Sequence, residues 1–352
     1  MARSCSPSST LIIAVASTPP TRLRLQSAPT PRAARLRKMT SIALSPAAPK
    51  QMASPVLQGV LWGGAAVTIW GVYLAFARAN VSTGILPVDL AFVRYLTAGL
   101  IMLPWLLRHS PATMAGMGWR KAAVLTLLAG PLFILVSATG FKFAPLSHGA
   151  VVQPAGITIA GMLLGAALLG DRLTKPRVIG AGIILAGLAL VAGPSALSGG
   201  PIALLGDALF AGAGVMWAVF AVLSRRWAIS PVAATAVVSV LSAAVYVPLY
   251  LASHGIGALL TQSATTIVLL IIVHGVLSGV VAVFAFGRAA ELLGAPRAAA
   301  FPALVPVVAT LAGIPVAGEF PAAWQIAGLL IVTLGLLVTQ RTAKPGIPAK
   351  TA

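Results

Sequence analysis

The chain alternates long apolar runs with short loops that hold nearly all of its charge. Ten runs can be drawn, at 57–77, 88–107, 122–141, 146–168, 177–193, 203–223, 232–251, 265–286, 298–316 and 322–340. Each is close to the roughly 20 residues that cross a bilayer as a helix. In lipid the backbone must bond to itself, so helices are the form such runs take. The pattern predicts an all-α membrane protein of ten transmembrane helices. Gly59-xxx-Gly63, Gly161-xxx-Gly165 and Gly275-xxx-Gly279 predict close helix contacts.

Composition agrees. The 352 residues are 59% hydrophobic and only 8% charged, against roughly 25% charged in soluble domains. The net charge of +19 does not point to nucleic acid, because the basic residues are dispersed among loops. Arg108, Arg120, Lys121, Arg172, Lys175, Arg177, Arg225, Arg226, Arg288 and Arg297 fall on one side of the predicted membrane, and only Arg78 and Lys142 on the other. Basic loops face the cytoplasm, which places both termini inside and Ser198 and Ser253 outside. Cys5 is the only cysteine, which excludes internal disulfides and cysteine metal sites.

Residues 1–52 form a basic extension without an acidic residue. It reads either as a targeting segment or as an over-extended start, with Met39 or Met52 as initiator. Residues 341–352 read as a cytoplasmic tail.

The remainder is written twice. Pro154, Gly170-Asp171, Gly180 and Gly187 shifted by 148 meet Pro302, Gly318-Glu319, Gly328 and Gly335. Trp70-Gly71-Val72-Tyr73 shifted by 147 meets Trp217-Ala218-Val219-Phe220. The repeats are predicted at 53–196 and 197–340. Five helices is an odd number, so the second copy enters the membrane upside down, as in many secondary transporters.

Several motifs together resemble the EamA family of the drug/metabolite transporter superfamily. They are Thr68-Ile69-Trp70-Gly71, Phe92-Val93-Arg94-Tyr95-Leu96-Thr97-Ala98, Leu168-Leu169-Gly170-Asp171-Arg172, Gly206-Asp207, Trp217 with Ser224-Arg225-Arg226, and Gly318-Glu319. The family has Glu where this chain has Asp171. The resemblance covers about 57–340. It implies a ten-helix inverted-repeat carrier, often an exporter of small metabolites or amino acids. The inverted repeat suits alternating access. The Ala/Gly/Arg-rich composition points to a bacterial inner membrane, and no cofactor is predicted. A sugar-phosphate or nucleotide-sugar carrier of the same superfamily is the alternative, and a homodimer is left open.

Candidate site residues follow from cost. Arg94 lies inside the second run, where a charge must face the bundle or a wet cavity. It serves either as an ion-pair brace, with Asp207 as partner across the bundle, or as an anchor for a substrate carboxylate. Asp89 is about 140° around the same helix and is a poor partner. His274, inside the eighth run, is either a neutral bonded residue or a proton carrier. His109, His148 and His254 lie at helix ends and read as surface residues. Trp70, Tyr73, Trp217, Gln153 and Phe301 complete the predicted substrate-binding set, lining a cavity between helices 1, 2, 4, 6, 8 and 9. Pro154 and Pro302 are predicted helix breaks beside it.

An intramembrane enzyme is the rival class. It would need a nucleophile elbow or clustered carboxylates. The five acids, Asp89, Asp171, Asp207, Glu291 and Glu319, are far apart in sequence and show no metal-ligand spacing. No Walker A run occurs. Catalytic and metal-binding residues are therefore not predicted.

Overall fold

The computed structural model describes residues 55–198, 200–298 and 300–340. The predicted extension at 1–52 and the tail from 341 lie outside the described residues. Helices occupy all ten predicted runs: α1 (Pro55–Ser82), α2 (Pro87–Arg108), α3 (Trp119–Gly140), α4 (Leu146–Leu169), α5 (Lys175–Ser198), α6 (Gly200–Arg226), α7 (Pro231–Ser253), α8 (Ala264–Leu293), α9 (Phe301–Ala317) and α10 (Ala323–Thr339). Among the described residues there is no strand. Seven of these segments, in α1 to α4 and α6 to α8, are long and apolar enough to cross a membrane, and α9 and α10 are shorter apolar helices.

Sequence chemistry sets the helix ends. Pro87 and Pro231 stand at first helical positions, where the missing N–H costs nothing. Ser230 caps α7 by accepting the Ala233 N–H. α3 is broken at Gly130-Pro131. α8 contains a π-helical stretch, Leu270–Val281. At Pro302 the chain forms a 3₁₀ turn, Phe301–Leu304, before α9 becomes α-helical. At Pro154 α4 stays α-helical.

The exterior is apolar. Leu61, Leu100, Leu163, Ile202, Val245 and Leu311 are each more than half exposed. A surface of this kind belongs in lipid. The interior is built from small, branched aliphatic and aromatic residues, including Ala75, Ala91, Leu125, Phe141, Phe210 and Ala309.

Helix contacts repeat. α1 packs on α8 and α9, and α6 packs on α3 and α4. α2 meets α7 and α8, and α3 meets α7. α4 meets α9, and α5 meets α10. Exchanging the first five helices for the last five, in order, maps this set onto itself.

The α5–α10 seam shows the relation at atomic scale. A Cβ added at Gly180 would lie 2.8 Å from the Gly335 carbonyl oxygen, and one at Gly187 would lie 2.9 Å from that of Gly328. The contacts run 180 to 335 and 187 to 328, so the helices are antiparallel. These are the glycines that the repeat matches to one another. The predicted Gly59/Gly63 and Gly275/Gly279 seams are also present, against Leu293 and Phe301 and against Thr97 and Ala98. Gly161 and Gly165 do not form a helix seam among the described residues. Nothing lies near the first, and the second faces the Asp171 side chain.

Candidate functional site

α4 and α9 end alike. Gly170 and Gly318 adopt left-handed backbone at φ 70° and 66°, a conformation glycine takes without a Cβ penalty. Each turns the chain so that the next residue, Asp171 or Glu319, meets an arginine. Asp171 receives Nη2 of Arg225 at 2.6 and 2.5 Å. Glu319 receives Nε of Arg78. Arg78 and Arg225 are themselves repeat equivalents, 147 residues apart. Both ion pairs therefore join the first helix of one repeat to the end of the fourth helix of the other.

Their surroundings differ. Arg78 also donates to the Phe141 carbonyl, and Glu319 accepts the Leu146 N–H at 2.8 Å. That clasp ties α1, α9 and the residues at the end of α3 and start of α4, with side chains 22% and 27% exposed. The Arg225 side chain is 59% exposed and makes no further hydrogen bond among the described residues. Arg78 borders a cleft of about 380 Å³ shared with Phe141 and Lys142. Glu319 borders another of about 170 Å³ shared with Leu146, Ser147 and Thr310.

Deeper in the bundle, Arg94 on α2 lies against α1 and α8. Its Nη1 donates to Ser278 Oγ at 2.7 Å and to the His274 carbonyl at 3.4 Å. Its guanidinium stands over the Tyr73 ring at 5.3 Å and near that of Tyr95 at 5.9 Å. His274 is buried, edge-on to Tyr73 at 5.1 Å. Asn80 Nδ2 is 3.2 Å from His274 Nε2. With the amide nitrogen on this side, the contact suits a neutral imidazole that carries its proton on Nδ1. The Nδ1 atom itself is buried without a partner among the described residues. The π-helical stretch carries both His274 and Ser278, in keeping with the frequent use of π-bulges at functional sites.

Three predicted residues thus come together: Tyr73, Arg94 and His274. Trp70 lies on the same α1–α8 interface, packed on Phe286 at 5.5 Å. The others sit elsewhere. Gln153 accepts the Ser137 hydroxyl at 2.8 Å between α3 and α4. Trp217 packs on Phe133 at 5.2 Å between α6 and α3. Phe301 presses on Gly63 between α9 and α1. None of these three makes a hydrogen bond or ring contact with the Arg94 group.

Two expectations are corrected. Asp207 does not face Arg94. It pairs with His148, whose Nδ1 is 2.9 Å from Asp207 Oδ1. His148 is not a surface residue: it is 2% exposed, because the first turn of α4 is covered by the start of α6. Asp89 is likewise committed, accepting the Tyr250 hydroxyl at 2.5 Å and the Leu86 N–H at 3.1 Å. Asn80, Ser137, Ser278 and the Arg78 and Arg225 pairs escaped the sequence reading. A signal for the arginines existed, since they obey the offset that matches Trp70 to Trp217.

Comparison with known proteins agrees with this architecture. A comparison with curated proteins gives no match. Among solved structures eleven chains match. One crystal structure is 22% identical with a TM-score of 0.53, the alignment covering 80% of this chain and 95% of that one. At that identity the likeness is one of fold. The model of the EamA-like transporter family matches residues 57–193 and again 204–341. Two successive matches covering most of the chain place this protein in the EamA-like transporter family, within the drug/metabolite transporter superfamily.

Proposed function

We propose that the protein is a secondary transporter that exports small metabolites or amino acids across the bacterial inner membrane by alternating access. In this reading all ten helices cross the bilayer as an inverted pair of five-helix repeats, with both termini in the cytoplasm. The observation that carries it is the pair of repeat-equivalent clasps, Arg78–Glu319 and Arg225–Asp171. In an inverted repeat they stand at opposite membrane faces. One is tied to four segments and the other to two. Two equivalent closures held to unequal degrees are what a carrier open to one side at a time needs. The antiparallel glycine seam of α5 and α10 supports the inversion.

The substrate site is the Arg94 group. Catalysis has less support, because the five acids stand in five separate contacts. A sugar-phosphate or nucleotide-sugar carrier is also less supported, since the group holds a single cation for substrates with several negative charges.

The test is counterflow of labelled metabolites in proteoliposomes. Exchange should occur with the native protein and fall in Arg94→Lys, which keeps the charge and loses the planar fork. Exchange in Arg94→Ala equal to native would remove Arg94 from the site. No exchange across a broad panel of metabolites would remove the transporter reading.

A further inference from the structure

The chain has five acidic residues, and all five lie among the described residues. Each is committed away from Arg94. Asp89 holds Tyr250 and the start of α2. Asp207 holds His148, and Glu291 holds Arg288. Asp171 and Glu319 hold the two clasp arginines.

Among the described residues Arg94 is left with neutral partners only: the Ser278 hydroxyl, the His274 carbonyl and two tyrosine rings. A guanidinium keeps its charge at any pH a cell offers. The Asn80 amide nitrogen 3.2 Å from His274 Nε2 suits a neutral imidazole, which adds no second charge. The group therefore carries one positive charge, and every acidic side chain of the protein is engaged elsewhere. Inside a membrane protein such a charge is costly until an anion meets it.

The converse matters as much. A guest bearing an ammonium group finds no carboxylate here. The face of Tyr73, the remaining attraction for a cation, is already covered by Arg94.

We infer that the site takes organic monoanions, one carboxylate-class group on an uncharged body, and discriminates against zwitterions and cations of the same shape. This rests on the reading of the Arg94 group as the substrate site, and it narrows the substrates from metabolites and amino acids at large to acids without an amine.

The experiment is ligand-dependent thermal stabilisation of the purified full-length protein in detergent. The probes are three series, with phenylethyl, isobutyl and hydroxyethyl bodies, each presented as carboxylate, primary amide, amino acid and amine. At least one carboxylate should stabilise the protein at a concentration about tenfold or more below its amino acid and amine counterparts, because a second, unpaired charge must be desolvated. Arg94→Gln should abolish the advantage of the carboxylate over its amide. Arg94→Lys should retain that advantage in weakened form, and serves where Arg94→Gln does not fold. Stabilisation by amino acids or amines equal to that by carboxylates overturns the inference, as does absence of stabilisation by all three carboxylates. An advantage that persists in Arg94→Gln also overturns it. Binding is separate from transport. Charge-selective binding without flux in proteoliposomes would remove the transporter reading and leave this site standing. Flux that prefers amino acids would do the opposite.

Discussion

Glu319→Gln and Asp171→Asn are the same perturbation made at two repeat-equivalent places. Each removes one carboxylate charge and keeps the side-chain size. The structure predicts unequal costs. Loss of the Glu319 charge leaves Arg78 with 22% exposure, so the guanidinium regains only part of its hydration. Breaking a fully buried pair costs about 3–5 kcal/mol, and breaking an exposed one about 0–1 kcal/mol. The Arg78 clasp lies between these limits, at about 1–3 kcal/mol. In Glu319→Gln the new amide oxygen can still accept the Leu146 N–H, which keeps the loss from the upper bound. The Arg225 side chain is 59% exposed and rehydrates freely, so Asp171→Asn should cost less than about 1 kcal/mol. Melting in detergent, followed by loss of monodisperse protein, gives the order. A double-mutant cycle with Arg78→Gln isolates the pair and should show coupling of about 1 kcal/mol or more. Equal losses at the two sites, or a larger loss at Asp171, would refute the reasoning from burial.

Three further outcomes are expected. The Arg225 guanidinium bonded to Asp171 holds that carboxyl below its ordinary value of 3.8. The stabilisation is therefore complete above that value and lost as pH falls through the depressed one. The melting difference between native protein and Asp171→Asn should be flat around neutral pH and close only below 3.8, and closure near neutrality would contradict it. At the α5–α10 seam, a Cβ on Gly335 would meet the Ile184 N at 2.8 Å, so Gly335→Ala should cost about 1–3 kcal/mol. Gly182→Ala, with nothing within 4 Å, should be neutral or slightly stabilising in the same melting assay. Finally, Ser198→Cys should react with an impermeant thiol reagent added outside cells, and Arg225→Cys should not. The reverse pattern would invert the proposed topology.

Helix positions were legible because a bilayer-length apolar run has one stable backbone form. The seams were legible in part. Gly180 could be matched to Gly328 and Gly187 to Gly335 by offset, but which helix each one touches is a property of packing. Gly161 and Gly165 show the same limit, since spacing alone does not say what a glycine faces. Arg94 was legible through cost, and its partners were not. Ser278 and the His274 carbonyl lie 184 and 180 residues away, and a uniformly apolar run gives no warning of π-helical winding. His148 was not legible, because position at a helix end does not reveal whether another helix covers that end. Its partner Asp207, 59 residues on, belongs to a helix that covers that end.

The helices differ in reach. α10 has 17 residues and spans about 25 Å, whereas α1 has 28 residues and spans about 42 Å. In the proposed ten-span reading a hydrocarbon core of about 30 Å is overfilled by α1 and underfilled by α10. In that reading the bilayer thins around α10, or headgroups descend along it, at a cost of fractions of a kcal/mol per ångström. The lipid's own elasticity then acts on α10, and short-chain lipids should hold it with the least distortion.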